Sequence, residues 1–166
     1  MRTQVFIVSI LISLQCAGQG SFSPQAGEAG SEGIPKDSTA FRNWAISCEV
    51  DRGLRQIDLP DSGYASSGSA LYAIGKPDAP LTVSLGDGGS ATLTFAAPFY
   101  NGPGYDFAVF ENGFGSGSEA FLELAFVEVS SDGINFFRFP AISEEQTLSQ
   151  KEAFDNSDAT FFHNLA

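Results

Sequence analysis

The feature that most constrains this chain is a two-residue alternation interrupted by glycines. Leu81, Val83 and Leu85 alternate with Thr82 and Ser84; Gly86-Asp87-Gly88-Gly89 follows; then Ala91, Leu93 and Phe95 alternate with Thr92 and Thr94. Successive side chains of a strand point to opposite faces, so the pattern predicts a β-hairpin across residues 81–95 with one buried face. Residues 106–110 (DFAVF) are apolar on both faces and suit a central strand. Residues 121–130 predict a long strand in which Glu123 and Glu128 have opposite parity. Either a β-bulge near Ala125 turns both acids outward, or one of them faces inward. The Asp132-Gly133 pair predicts a type I′ hairpin turn, with Phe137 and Phe139 on the returning strand. Residues 41–46 read as a short strand or an entry turn, and residues 144–154 as a short helix or a loop. No amphipathic helical period and no internal repeat is visible. The expected fold class is all-β, an antiparallel β-sandwich of about six to eight strands.

The start of the chain reads as an address. Arg2 precedes an apolar run over residues 5–14 (VFIVSILISL), followed by the small residues of Cys16 and Gly18. A bilayer span takes about 20 residues, so this run is too short to cross and fits a secretory signal peptide over residues 1–18, cleaved before Gln19. The alternative is lipidation at Cys16, although Gln15 stands where a lipoprotein signal carries a small residue. Residues 19–40 are rich in Gly, Ser, Glu and Pro without apolar periodicity, and predict a flexible leader. Residues 41–166 form the β-domain.

Charge narrows the partners. The 166 residues carry 8 Lys+Arg against 20 Asp+Glu, a net charge of −12. Removing residues 1–18 takes away Arg2 and no acid, so the mature chain is more acidic still. Nucleic acids and anionic membrane surfaces reward basic clusters and are disfavoured; neutral ligands and cations are compatible. After cleavage Cys48 is the one remaining cysteine, which leaves no intramolecular disulfide and reads as a small buried hydrophobe. One histidine, His163, and one mature cysteine argue against zinc and against a Cys/His nucleophile pair. The glycine turn at 86–89 lacks the Lys-Ser/Thr of a phosphate loop, and no Gly-x-Ser-x-Gly elbow is present. Phe95, Phe107, Phe110, Phe121, Phe126, Phe136, Phe137 and Phe139 read as core, and Trp44 as a core anchor.

Two blocks carry a resemblance. Residues 127–136 (VEVSSDGINF) resemble the strand–turn–strand of galactose-binding-like, discoidin-type jelly rolls. Residues 83–95 (VSLGDGGSATLTF) with 101–112 (NGPGYDFAVFEN) resemble a family of secreted bacterial surface proteins of the Bacteroidetes type. The resemblance covers the chain from about Trp44 onward. It implies a galactose-binding-like jelly roll, exported to the cell surface or secreted, and non-catalytic. Related sequences continue for several strands past the segment matching Asn164, so the expectation from the resemblance is a domain that is incomplete at its C-terminus, with an unpaired sheet edge open to a protein partner.

The candidate sites lie on loops. Residues 58–69, 101–105 and 111–119 are expected to form a ligand face, with Tyr64, Tyr100, Asn101, Tyr105, Asn112 and Phe114 as contacts. The competing reading is that these are structural turns needing glycine. Asp106, Glu111, Asn112 and Glu119 offer hard oxygen ligands for one structural Ca²⁺, as jelly rolls of the resembled class often hold, and Asp58 with Asp61 form a second acidic candidate. The competing reading is a set of solvated acids. The expected function is loop-mediated recognition of a glycan-type ligand, by fold analogy. Two alternatives stand: capture of a corrinoid (cobalamin), implied by surface proteins of the resembled kind encoded beside cobalamin-uptake systems, and a glycoside hydrolase using paired carboxylates.

Overall fold

The computed structural model describes residues 20–79, 81–117, 119–145, 151 and 155–165. The segment expected to be a signal peptide, with Arg2 and Cys16, lies outside the described residues, as does most of the 144–154 segment. The chain is all-β: its described residues form small antiparallel sheets and three short 3-10 turns. Among the described residues no helix is long and apolar enough to cross a membrane.

The longest ladder pairs β1 (Ala45–Asp51) with β2 (Ser90–Phe95). Cys48 and Val50 lie opposite Leu93 and Ala91 on one face. Glu49 and Asp51 lie opposite Thr92 and Ser90 on the other. Residues 90–95 thus form a strand as expected, but Leu93 and Phe95 stay exposed where a buried face was expected, and the partner strand is a different one. Residues 81–85 form no strand: the Leu85 carbonyl accepts from Gly53 N at 2.8 Å, and Ser84 N donates to the Ser67 carbonyl at 3.1 Å. The β1 strand has taken the edge of β2 that the expected hairpin needed.

Glycine makes this rearrangement fit. A Cβ on Gly53 would stand 2.2 Å from the Asp87 carbonyl oxygen, so only glycine lets residues 53–54 lie against 85–87. Arg52 fastens the same region. Its guanidinium donates to the carbonyls of Ser67 (2.7 Å), Gly68 (2.9 Å) and Ser84.

Shorter sheets follow. The strands β3 (Phe114–Ser116), β4 (Glu119–Phe121) and β8 (Ser157–Asp158) form one of three strands, with Phe114 opposite Phe121. A hairpin joins β5 (Glu128–Val129) to β6 (Phe137–Arg138), and β7 (Ile142–Ser143) pairs with β9 (Phe162–His163). The 106–110 segment is not a strand. Residues 121–130 are not one long strand either: β4 ends at Phe121, β5 begins at Glu128, and between them Phe126 makes one isolated bridge to Leu165.

The expected hairpin at Asp132-Gly133 forms, but without a two-residue type I′ turn. Seven residues, 130–136, connect the paired Val129 and Phe137. Gly133 has φ +71°, whereas Asp132 is not left-handed, and a type I′ turn needs both. The Asp132 carboxylate closes the loop instead, accepting from the backbone N–H of Ile134 (2.9 Å) and Asn135 (2.8 Å).

The core is thin. Among the described residues the buried apolar side chains are Ala45, Ala65 and Ala120. The phenylalanines expected as core form exposed or half-buried clusters. Phe137 is 71% and Phe126 59% exposed, while Phe95, Phe99, Phe107 and Phe139 make a chain of ring contacts at 5.4–5.5 Å. Trp44 is half-buried, grouped with Phe41 and Phe110. Cys48 is half-buried, and burial pushes its thiol pKa up.

Candidate functional site

The residues that shape one cleft come from segments far apart in the sequence, 21–32 and 162–164. Gly20 N donates to Thr160 Oγ1 at 2.7 Å, Phe22 N to the Thr160 carbonyl at 2.9 Å, and Ser21 N to Glu144 Oε2 at 3.0 Å. These bonds lay the leader beside β9. Thr160 is held ready by Asp158, whose carboxylate accepts from the Thr160 hydroxyl (2.7 Å) and backbone N–H (2.9 Å). Phe22 then stacks on His163, with ring centroids 5.0 Å apart and planes 16° from parallel.

Between these two walls lies a cleft of about 360 Å³, lined by Ser21, Phe22, Ser23, Gly30 and Glu32 from the leader and by Phe162, His163 and Asn164. It combines aromatic faces with hydroxyls, an amide, an imidazole and a carboxylate. Such a lining can stack on the apolar face of a flat ligand and hydrogen-bond its polar edge. The volume falls at the lower end of small-molecule sites, about 300–1,000 Å³.

One residue expected on the ligand face reaches this region. The Tyr105 hydroxyl donates to Glu32 Oε2 at 2.7 Å, and that bond to a carboxylate pushes the phenol pKa up. The other expected contacts are dispersed. Tyr64 forms an isolated bridge with Leu54, Tyr100 is 78% exposed, and Asn101 and Asn112 are exposed. Phe114 stacks on Phe121 at 5.0 Å across the β3–β4 pair.

The acids expected to hold calcium lie mostly within their own turns. Asp106 Oδ1 accepts from Gly102 N at 2.8 Å. Glu111 accepts from Gly113 N (2.7 Å) and from Glu123 N (3.3 Å). Although Glu111 keeps contact with solvent, the hairpin around it partly desolvates the carboxylate, and this outweighs the two N–H donors and pushes its pKa up. Glu119 lies opposite Asp158 in the β4–β8 pair. Asp58 and Asp61 are exposed beside the 3-10 turn Pro60–Ser62. Among the described residues no group of three or more His, Cys, Asp or Glu is placed to hold a metal ion.

Sequence reasoning passed over the leader and His163. A Gly/Ser/Pro-rich segment carries no periodicity to betray docking, and a lone histidine near the end of the chain has no neighbour in sequence to suggest a site. The one local signal was the pair Gly20 and Phe22, a small residue and a ring two positions apart.

Fold and cleft together define the class: an all-β chain whose cleft is assembled from its leader and its β9 strand. Comparison with protein-family models, with curated proteins and with solved structures finds no match to this chain.

Proposed function

We propose that this chain is an exported, non-catalytic binding module of the galactose-binding-like jelly-roll kind, recognising a glycan-type ligand at the cell surface or outside it. The observation that carries the reading is the cleft itself, where the stacked Phe22–His163 pair stands among Ser21, Ser23, Glu32 and Asn164. A sugar ring presents an apolar face and a rim of hydroxyls, and this lining complements both. A chain of net charge −12 suits a neutral or cationic ligand over an anionic one. Glu32 is the one carboxylate among the described lining residues, whereas a glycoside hydrolase needs two across its cleft; this favours binding over hydrolysis. The volume suits one or two sugar rings better than a corrinoid.

The test is a glycan array probed with the full chain, followed by calorimetry on any binder. The expected result is binding of a neutral or amino-sugar glycan that Phe22→Ala weakens about tenfold. An array without binders, or a binder indifferent to Phe22→Ala, overturns the assignment to this cleft.

A further inference from the structure

Residues 20–32 of the leader touch three separate parts of the body, while Lys36 and Asp37 further on pair with Asp78 and Lys76. Its first residues bond Thr160 and Glu144 beside β9. Its middle reaches the turn between β3 and β4 twice: Gln25 Nε2 donates to the Gly117 carbonyl at 2.9 Å, and Gly117 N donates to Glu28 Oε1 at 3.1 Å. Glu32 accepts from the Tyr105 hydroxyl. Each of these hydrogen bonds spans at least 73 residues of sequence, so none follows from chain proximity. Gly20 is required at the first of them, because a Cβ there would stand 2.1 Å from the Thr160 carbonyl oxygen.

We infer that residues 20–32 are a clamp, tied down at Tyr105, at the β3–β4 turn and at β9, that supplies one wall of the cleft against Phe162–Asn164, so that the cleft exists only while this segment is docked. This deepens the binding reading by naming what assembles and releases its site. The physical basis is that five of the eight lining residues belong to the clamp. Its hold consists of separate, partly solvated hydrogen bonds and one ring stack, without a buried apolar face. Such a segment opens locally at low cost while the rest of the fold stays intact. Ligand bound between the walls would hold the clamp shut, and clamp release would discharge the ligand, because binding and docking are linked.

Hydrogen exchange on the full chain tests the clamp without any ligand. In the wild-type chain the Phe22 and Gly117 amides are expected to be protected. Gly20→Val is expected to speed exchange at Phe22 by about tenfold, to speed Gly117 as well, and to leave the β1–β2 ladder unchanged. Tyr105→Phe, which removes one hydroxyl and alters no backbone, is expected to raise exchange at Glu32, whose own N–H donates to Ser23 Oγ at 2.9 Å. Unprotected Phe22 and Gly117 amides in the wild-type chain overturn the inference, as does a Gly20→Val effect that stops at Phe22. Glycan binding retained by Gly20→Val overturns the composite cleft but leaves a binding module with its site elsewhere. A protected clamp on a chain that binds no glycan overturns the binding reading alone.

Discussion

Residues 45–95 and residues 99–165 both hold loops together with little buried apolar surface, and they do it differently. The first region has a ladder of six registered pairs, five of them consecutive beyond a register shift between Ala45 and Ser47, a close glycine approach at Gly53 and one guanidinium donating to three carbonyls. The second has pairings of two or three residues each, joined through aromatic contacts and through the leader. A long ladder supports itself because each added pair extends an existing register. Two-residue pairs have almost no register to extend, and so few bonds offset little more than the ordering of their own residues, so they depend on whatever else crosses them. The cleft lies between the leader and β9 of the second region, where local opening is cheap.

The largest expected effect breaks the first region. Arg52→Ala removes donors to Ser67, Gly68 and Ser84 and leaves three carbonyls in search of water. Each charge-assisted bond contributes about 1.5–3 kcal/mol; discounted for solvent, the substitution is expected to cost about 3 kcal/mol in urea unfolding. Exchange rates should rise across residues 45–95 and change little at Gly117. An equal rise at Gly117 would show that the two regions unfold as one unit.

A smaller effect separates two acids of the second region by pH. Asp132 accepts first from Asn135 N–H, then from the Asn135 side chain, Ile134 N–H and the Ser130 hydroxyl, and these donors hold its carboxyl well below the usual carboxylate range. Its contribution to the 130–136 loop is therefore complete above the ordinary carboxylate pKa and is lost only as pH falls through the depressed folded value. Glu111 runs the other way. Desolvation raises its folded pKa, so its contribution is complete below the unfolded pKa and is lost as pH rises through the folded one. As pH rises through the raised folded pKa of Glu111, the β3–β4 hairpin should loosen while the Asp132 loop holds. Amide exchange at Gly113 and Asn135 reads the two separately. Parallel changes at both would remove the distinction.

The same contrast explains what was legible from sequence. The alternation of Ala91, Leu93 and Phe95 announced β2 because a strand's face pattern is local. The partner of β2 was not legible. Leu81, Val83 and Leu85 had the alternation and the proximity, but β1 supplied the longer ladder and Gly53 allowed 85–87 to fold back on residue 53. Ser130-Ser131-Asp132-Gly133 announced a hairpin, and its seven-residue loop escaped notice because Asp132 caps amides that a tighter turn would not present. The 106–110 and 121–130 runs were apolar enough for strands, yet Phe107 and Phe110 contact other rings outside any ladder, Phe126 lies under the Arg138 guanidinium at 4.2 Å, and Phe121 alone pairs across a ladder, a three-residue one. The cleft was illegible because it joins Phe22 to His163, and no spacing rule connects residues so far apart. Tyr105 alone, flanked by Gly104 and Asp106 in a loop, pointed toward it.

Calcium provides the smallest expected effect and sharpens the comparison from the side of the acids. The ion takes six to eight oxygen ligands at once. Asp106 and Glu111 already accept backbone N–H groups of their own turns, and Glu119 faces Asp158 across a two-pair ladder. Gathering them would require the second region to give up pairings that are already short. Thermal unfolding of the full chain in excess Ca²⁺ and in chelator is accordingly expected to give midpoints within about 1 °C of each other, since only a ligand that prefers the folded state raises its stability. At a hundredfold excess over its dissociation constant, a native-state ion would add about 2.7 kcal/mol and move the midpoint by several degrees. Such a rise would mean that the acidic loops rearrange around the ion. The second region would then owe its order to a metal as well as to the clamp, and protection of Gly117 in hydrogen exchange should increase with Ca²⁺ in step with the midpoint.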